Sequence, residues 1–140
     1  MLKKLSRSAT LGVALALVAL AASFAVSPKA FAQSGQSDST LEIRLRTRLT
    51  GPPLNGQTPH GKAEFEQEDS GRKFSVEVED VSLPNGTILV VGVNGTRVGT
   101  IKIQGGDGTL LLVNGHAPNV TKGSKVVIRA AGSAIMSGTF

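Results

Sequence analysis

Only two imidazoles stand in the 140-residue chain, His60 in Thr-Pro-His-Gly and His116 in Asn-Gly-His-Ala-Pro. Together with Asp107 they are donor types able to hold a metal or to move a proton. Neither falls in a ligand spacing such as H-x-x-x-H. The expectation is two separate loop imidazoles, with no metal and no cofactor. Glu64, Glu66, Glu68, Glu77 and Glu79 offer carboxylates for glycosidase-like chemistry, which needs two acids in unlike surroundings. Their alternation with apolar residues puts them instead on one open, solvated face. There is no Cys and no Gly-x-Ser-x-Gly elbow, so no activated nucleophile is marked. Gly105-Gly106-Asp107-Gly108 holds the residues of a calcium repeat, but in the wrong order and only once, and reads as a turn. Beyond residue 32 the aromatic residues are Phe65, Phe74 and Phe140, all on the apolar phase of their segments, which assigns them to a core and not to sugar stacking. No enzyme is expected from this set.

Two features point to binding. Arg44, Arg46 and Arg48 line one phase of the first alternating segment, and the glutamates line the same phase of the next two. If the first two segments pair antiparallel, the basic and acidic rows lie side by side, each pair contributing about 0.2 to 1 kcal/mol and fixing register. The functional alternative is an arginine row that docks an acidic partner. The second feature is the loop from Gly51 to His60, whose ten residues exceed what a hairpin needs. Pro52, Pro53, Leu54, Asn55 and His60 are its candidate binding residues. Prolines limit its unfolded freedom, and Leu54 has no strand partner visible in the sequence.

The elements that must position these residues follow an N-terminal segment of a different kind. Lys3, Lys4 and Arg7 precede an apolar run from Leu11 to Val26 and the small-residue site Ala30-Phe31-Ala32. That order is a cleavable secretory signal over 1–32, and the apolar run is short for a spanning helix. The expected destination is periplasmic or extracellular, in a bacterial context. The net charge of +5 belongs largely to that segment. Beyond residue 32 there are eleven Lys and Arg against ten Asp and Glu, a net charge of +1. A nucleic-acid partner loses its support, and an unknown protein or envelope component is expected in its place.

Residues 33–40 (QSGQSDST) are small and polar and read as a disordered lead-in. From Leu41 to Phe140 the signal is period-2 alternation broken by Gly, Pro and Asn, with no helical period in any long window. Thr87 to Val93 and Thr96 to Ile103 flank Asn94-Gly95, the strongest hairpin signal in the chain. Asn-Gly at Asn85, Asn94 and Asn114 reads as turn chemistry, although Asn85, Asn94 and Asn119 also match the glycosylation sequon. Seven to eight short strands predict an all-β fold, a single antiparallel β-sandwich domain or small barrel over 41–140. A transmembrane barrel conflicts with the lack of Trp and Tyr for interfacial girdles, so no stable membrane insertion is expected after cleavage.

Leu49-Thr50-Gly51-Pro52-Pro53, then Gly61-Lys62-Ala63-Glu64-Phe65 and the alternating segment Phe74 to Val78, resemble the opening of CHRD domains, a family of β-domains in exported bacterial proteins and in chordin. The similar run covers about forty residues. The His-containing strand typical of the family's second half is absent, since Ile88-Leu89-Val90-Val91-Gly92-Val93 stands in its place. The resemblance implies a β fold and export, and no ligand. The functional expectation is a non-enzymatic β-sandwich module that binds a partner or serves as a structural component of the envelope or extracellular matrix. The alternatives are a metal-dependent protein or hydrolase using His60 and His116, and a β-augmented polymer subunit whose open edge strand accepts another chain.

Overall fold

Alternating apolar and charged residues oblige each strand to turn one face inward, and the Asn-Gly and Gly-Gly turns fold successive strands back on each other. A computed structural model describes residues 41–140; the expected signal and lead-in lie outside the described residues. Eight strands form: β1 (Ile43–Thr50), β2 (His60–Glu68), β3 (Gly71–Glu79), β4 (Ile88–Val93), β5 (Thr96–Lys102), β6 (Gly108–Val113), β7 (Lys125–Ala130) and β8 (Ser133–Thr139). A short 3-10 turn spans Asn114–His116.

All pairings are antiparallel, and the strands make one sheet in the order β5-β4-β7-β8-β1-β2-β3-β6. Of the two architectures expected, the nearly closed barrel is the one found. A sandwich would need two separate sheets, but β1 pairs with β2 on one side and touches β8 on the other. That second junction is slim, with Thr50 opposite Ser137 and the Thr47 hydroxyl donating to the Thr139 carbonyl at 2.9 Å. Glycine makes it possible: a Cβ at Gly51 would collide with the Ile135 carbonyl, and one at Gly138 with the Arg48 carbonyl. The ends of the sheet, β5 and β6, come alongside without a ladder. Leu110 of β6 fills the space in front of Gly99 of β5, so side-chain packing closes the wall there.

The interior is apolar and the exterior charged. Leu49, Phe65, Phe74, Leu89, Ile101 and Ile128 are fully buried, and Phe65 faces Phe74 across β2 and β3. Phe140 is partly buried against this core. A bulge between Ile128 and Arg129 shifts the phase of the β7–β8 pair, and the consecutive residues Ile135 and Met136 are both buried. Asn94 and Gly95 take φ of 50° and 83°, the left-handed pair that a type I′ turn requires. Asn94 also ties this hairpin to the start of β7, accepting from the Lys125 N–H at 2.9 Å and donating to Ser124 Oγ at 3.2 Å. Asn114 is likewise left-handed, whereas at Asn85-Gly86 the glycine alone carries the positive φ.

Candidate binding face

Because Leu45, Thr47 and Leu49 of β1 turn toward the barrel interior, Arg44, Arg46 and Arg48 point outward. The β1–β2 register sets Arg44 opposite Glu66 and Arg46 opposite Glu64. Both pairs close, at 3.2 Å and 3.3 Å, and Arg44 also reaches Glu42 at 3.0 Å. The next ladder continues the scheme, with Lys73 on Glu66 at 2.6 Å and Lys62 on Glu77 at 2.9 Å. Expected as two rows, basic and acidic, the charges form an interlocked lattice over β1, β2 and β3. The Lys73 hydrogen bond, with the charges of Lys73, Arg44 and Arg46, holds the Glu66 carboxyl below its ordinary value. The Glu77 hydrogen bond and charge raise Lys62 above the usual lysine value.

The arginine row is therefore not uniform. Arg48 stands opposite Lys62, and among the described residues no carboxylate lies within ion-pair distance of it. Beside it is a shallow groove of about 280 Å³, lined by Arg46, Arg48, His60, Lys62, Glu64 and Glu79.

His60 opens β2 and sits opposite Glu79. Its Nε2 lies 3.0 Å from Glu79 and its Nδ1 lies 3.4 Å from Asp80. Both ring nitrogens thus face carboxylates. His116 lies at the other end of the barrel, in the turn after Val113, which pairs with Lys73. The six residue-to-residue steps from Lys73 to Glu79 span roughly 20 Å at about 3.3 Å per step. The two histidines are not brought together, and among the described residues no group of three or more His, Cys, Asp or Glu is arranged for a metal.

The loop from Gly51 to His60 is ordered by its own turn. Leu54 and Gln57 exchange backbone hydrogen bonds around Asn55-Gly56, whose φ values of 49° and 84° are again those of a type I′ turn. Asn55 Nδ2 donates to the Ser82 carbonyl at 2.8 Å, Pro59 is buried, and Leu54 packs on the core. Pro52 and Pro53 are exposed. The partner of Leu54 that the strand pattern could not supply is the barrel end itself.

A surface not singled out in the sequence lies on β6. Thr109, Leu111 and Val113 point outward, with Leu111 62% and Val113 47% exposed. The run Thr109 to Val113 is legible as a strand, but it is uncharged and nothing in it marks which face meets water. The chain matches no protein-family model and no curated protein sequence. The resemblance to CHRD domains rests on the residues quoted for it.

Proposed function

We propose that this chain is an exported, non-enzymatic β-barrel module that binds a partner or serves as a structural component of the cell envelope or extracellular matrix, in the periplasm or outside the cell. The observation that carries this reading is how the ionisable side chains are used. Glu64, Glu66, Glu77 and Glu79 each lie against a basic side chain on an open strand face, and His60 and His116 occupy opposite ends. Catalytic groups have to converge where water is excluded, and the one place among the described residues where several of these meet, around His60, Glu79 and Asp80, is an open surface with all three side chains about half exposed. The outward charges of β1 to β3 around an apolar interior also oppose lipid burial, since a membrane barrel presents its apolar face outward. Acids interleaved with the cations weigh against a nucleic-acid partner.

The test joins two measurements. Intact mass of the protein recovered from the periplasm or medium is expected to start at Gln33, and a photocrosslinker at Arg48 is expected to yield one defined adduct with an envelope component. Full-length protein retained in the membrane overturns export. A stoichiometric metal in the purified protein that vanishes in the His60→Ala/His116→Ala double variant overturns the non-enzymatic reading in favour of metal chemistry.

A further inference from the structure

Beyond β3 the charges change in kind. From residue 81 to 140 the chain carries Arg97, Lys102, Lys122, Lys125 and Arg129 against a single acid, Asp107 in the β5–β6 turn. The net charge of +1 beyond residue 32 therefore hides a division. The barrel sets that division on opposite walls, because in the strand order β5-β4-β7-β8-β1-β2-β3-β6 the strand β4 stands four places from β2. Around β2 lies the interlocked lattice of β1 to β3, whereas β5, β4 and β7 contain no Asp or Glu.

Alternation decides what this second wall shows. Leu89, Val91, Ile101, Val126 and Ile128 are fully buried, so the residues between them face out. In the two ladders Lys102 stands opposite Ile88, Thr100 and Arg129 flank Val90, and Arg97 and Val127 flank Gly92. Arg97 and Lys102 are exposed, and Ile88 is 51% exposed. Gly92 leaves room on this face, and the Arg129 guanidinium leans over it: a Cβ at Gly92 would stand 3.7 Å from Arg129 Nη1. Two arginines therefore stand beside one glycine. Among the described residues, no Asp or Glu lies within ion-pair distance of Arg97, Lys102, Lys125 or Arg129.

We infer that the β5–β4–β7 wall docks on an anionic membrane surface, with lipid phosphates held at Arg97 and Arg129 and Ile88 entering the headgroup layer. This deepens the envelope-binding reading proposed above and rests on it for its setting alone. Guanidinium groups take phosphate oxygens in pairs, and each Lys or Arg brought to such a surface favours binding about fivefold. The acids of the opposite wall stand about 10 Å or more away, past the Debye length of about 8 Å at physiological salt, and repel the surface little. Ile88, Val90 and Val127, set among the cations, select the occupant: a headgroup layer accepts charge and apolar side chains together, whereas a soluble polyanion leaves the apolar ones in water. Stacking of sugars or bases has no platform on this wall, since Phe65, Phe74 and Phe140 all pack in the core. The barrel lies on the bilayer and does not enter it, so the charged lattice of β1 to β3 stays in water.

Co-sedimentation of the purified protein with vesicles tests the face. Binding is expected to vesicles of phosphatidylcholine and phosphatidylglycerol in equal parts, well above that to phosphatidylcholine alone, and to fall as salt rises. Arg97→Gln/Arg129→Gln should weaken it about thirtyfold, the product of two such factors, while Arg97→Lys/Arg129→Lys should keep most of it. Arg44→Gln/Arg46→Gln removes the same charge from the β1 wall and should leave binding nearly unchanged. Ile88→Ser, at an exposed site, should weaken binding severalfold. If the glutamine pair does not fold, Arg97→Gln alone carries the test with a loss of about fivefold. No preference for the anionic vesicles, or equal losses from the two glutamine pairs, overturns the inference. So does capture by soluble dextran sulfate with none by vesicles, which would mean a polyanion partner. The two readings fail separately: an Arg48 adduct without anionic-vesicle binding removes this inference, and anionic-vesicle binding by a chain that is never exported removes the envelope reading and leaves this face.

Discussion

Arg48 faces Lys62 directly across the β1–β2 ladder, a like-charge pair in a lattice where the neighbouring cross-strand charges alternate in sign. Like charges in that position oppose pairing, so reversing one should help. Arg48→Glu is expected to raise stability by about 0.2 to 1 kcal/mol, the range for exposed cross-strand pairs. Arg44→Glu, which breaks the contacts to Glu66 and Glu42, should lower it by a similar amount. Urea midpoints at low and high salt check both, and the two effects should shrink together as salt screens them. A fall in midpoint for Arg48→Glu would show that Arg48 contributes through something other than charge.

Glu66 links the same lattice to pH. Its carboxyl is held below the ordinary value of 4.5 in the folded chain, chiefly by the Lys73 hydrogen bond. A depressed carboxyl contributes stability that is fully present above its unfolded value and lost as pH falls through the folded one. Glu66→Gln is therefore expected to be less stable than the native chain at neutral pH, with the difference closing below about pH 4.5. Denaturation midpoints at pH 7 and pH 3 test this, and a deficit that persists unchanged into acid would place the cause in packing.

The two faces of β3 should respond very differently to truncation. Phe74 is fully buried against Phe65, so Phe74→Ala is expected to cost about 3 to 5 kcal/mol. Glu77 points outward and loses only its exposed contact with Lys62, so Glu77→Ala should stay within about 1 kcal/mol. Comparable shifts in urea midpoint would mean that β3 is turned the other way.

Strand existence and phase were legible wherever charge alternated with apolar side chains, as in β1, β2 and β3, because each residue type has one favourable face. Asn94-Gly95 was legible for a local reason: its turn conformation depends on those two residues. The order of strands was not. Nothing in the composition of β1 says that it touches β8, and the contact rests on the absence of side chains at Gly51 and Gly138, which in sequence look like ordinary turn or strand glycines. The uncharged β6 gave no phase, so its exposed Leu111 could not be foreseen. His60 and His116 were visible as chemistry but not as distance, because distance follows from the β2–β3–β6 register.

Leu54 decides what the loop from Gly51 to His60 is for. The loop is longer than a connection requires, and the excess is spent on a small turn that lays Leu54 on the core and sends Asn55 to the Ser82 carbonyl. A half-buried leucine is expected to contribute about half of the ~2 to 5 kcal/mol of a fully buried one, so Leu54→Ala should cost about 1 to 2 kcal/mol. Asn55→Gly keeps the left-handed backbone and loses one hydrogen bond, so its cost should stay near about 1 kcal/mol. Asn55→Val, which resists the φ of 49°, should cost more. Replacing Pro53 to Thr58 by Asn-Gly removes the packing and the bond together and should destabilise at least as much as Leu54→Ala. These values, read from urea midpoints, assign the loop to closing the barrel end. If Leu54→Ala leaves the midpoint unchanged while the envelope adduct at Arg48 is lost, the loop serves the partner and not the fold.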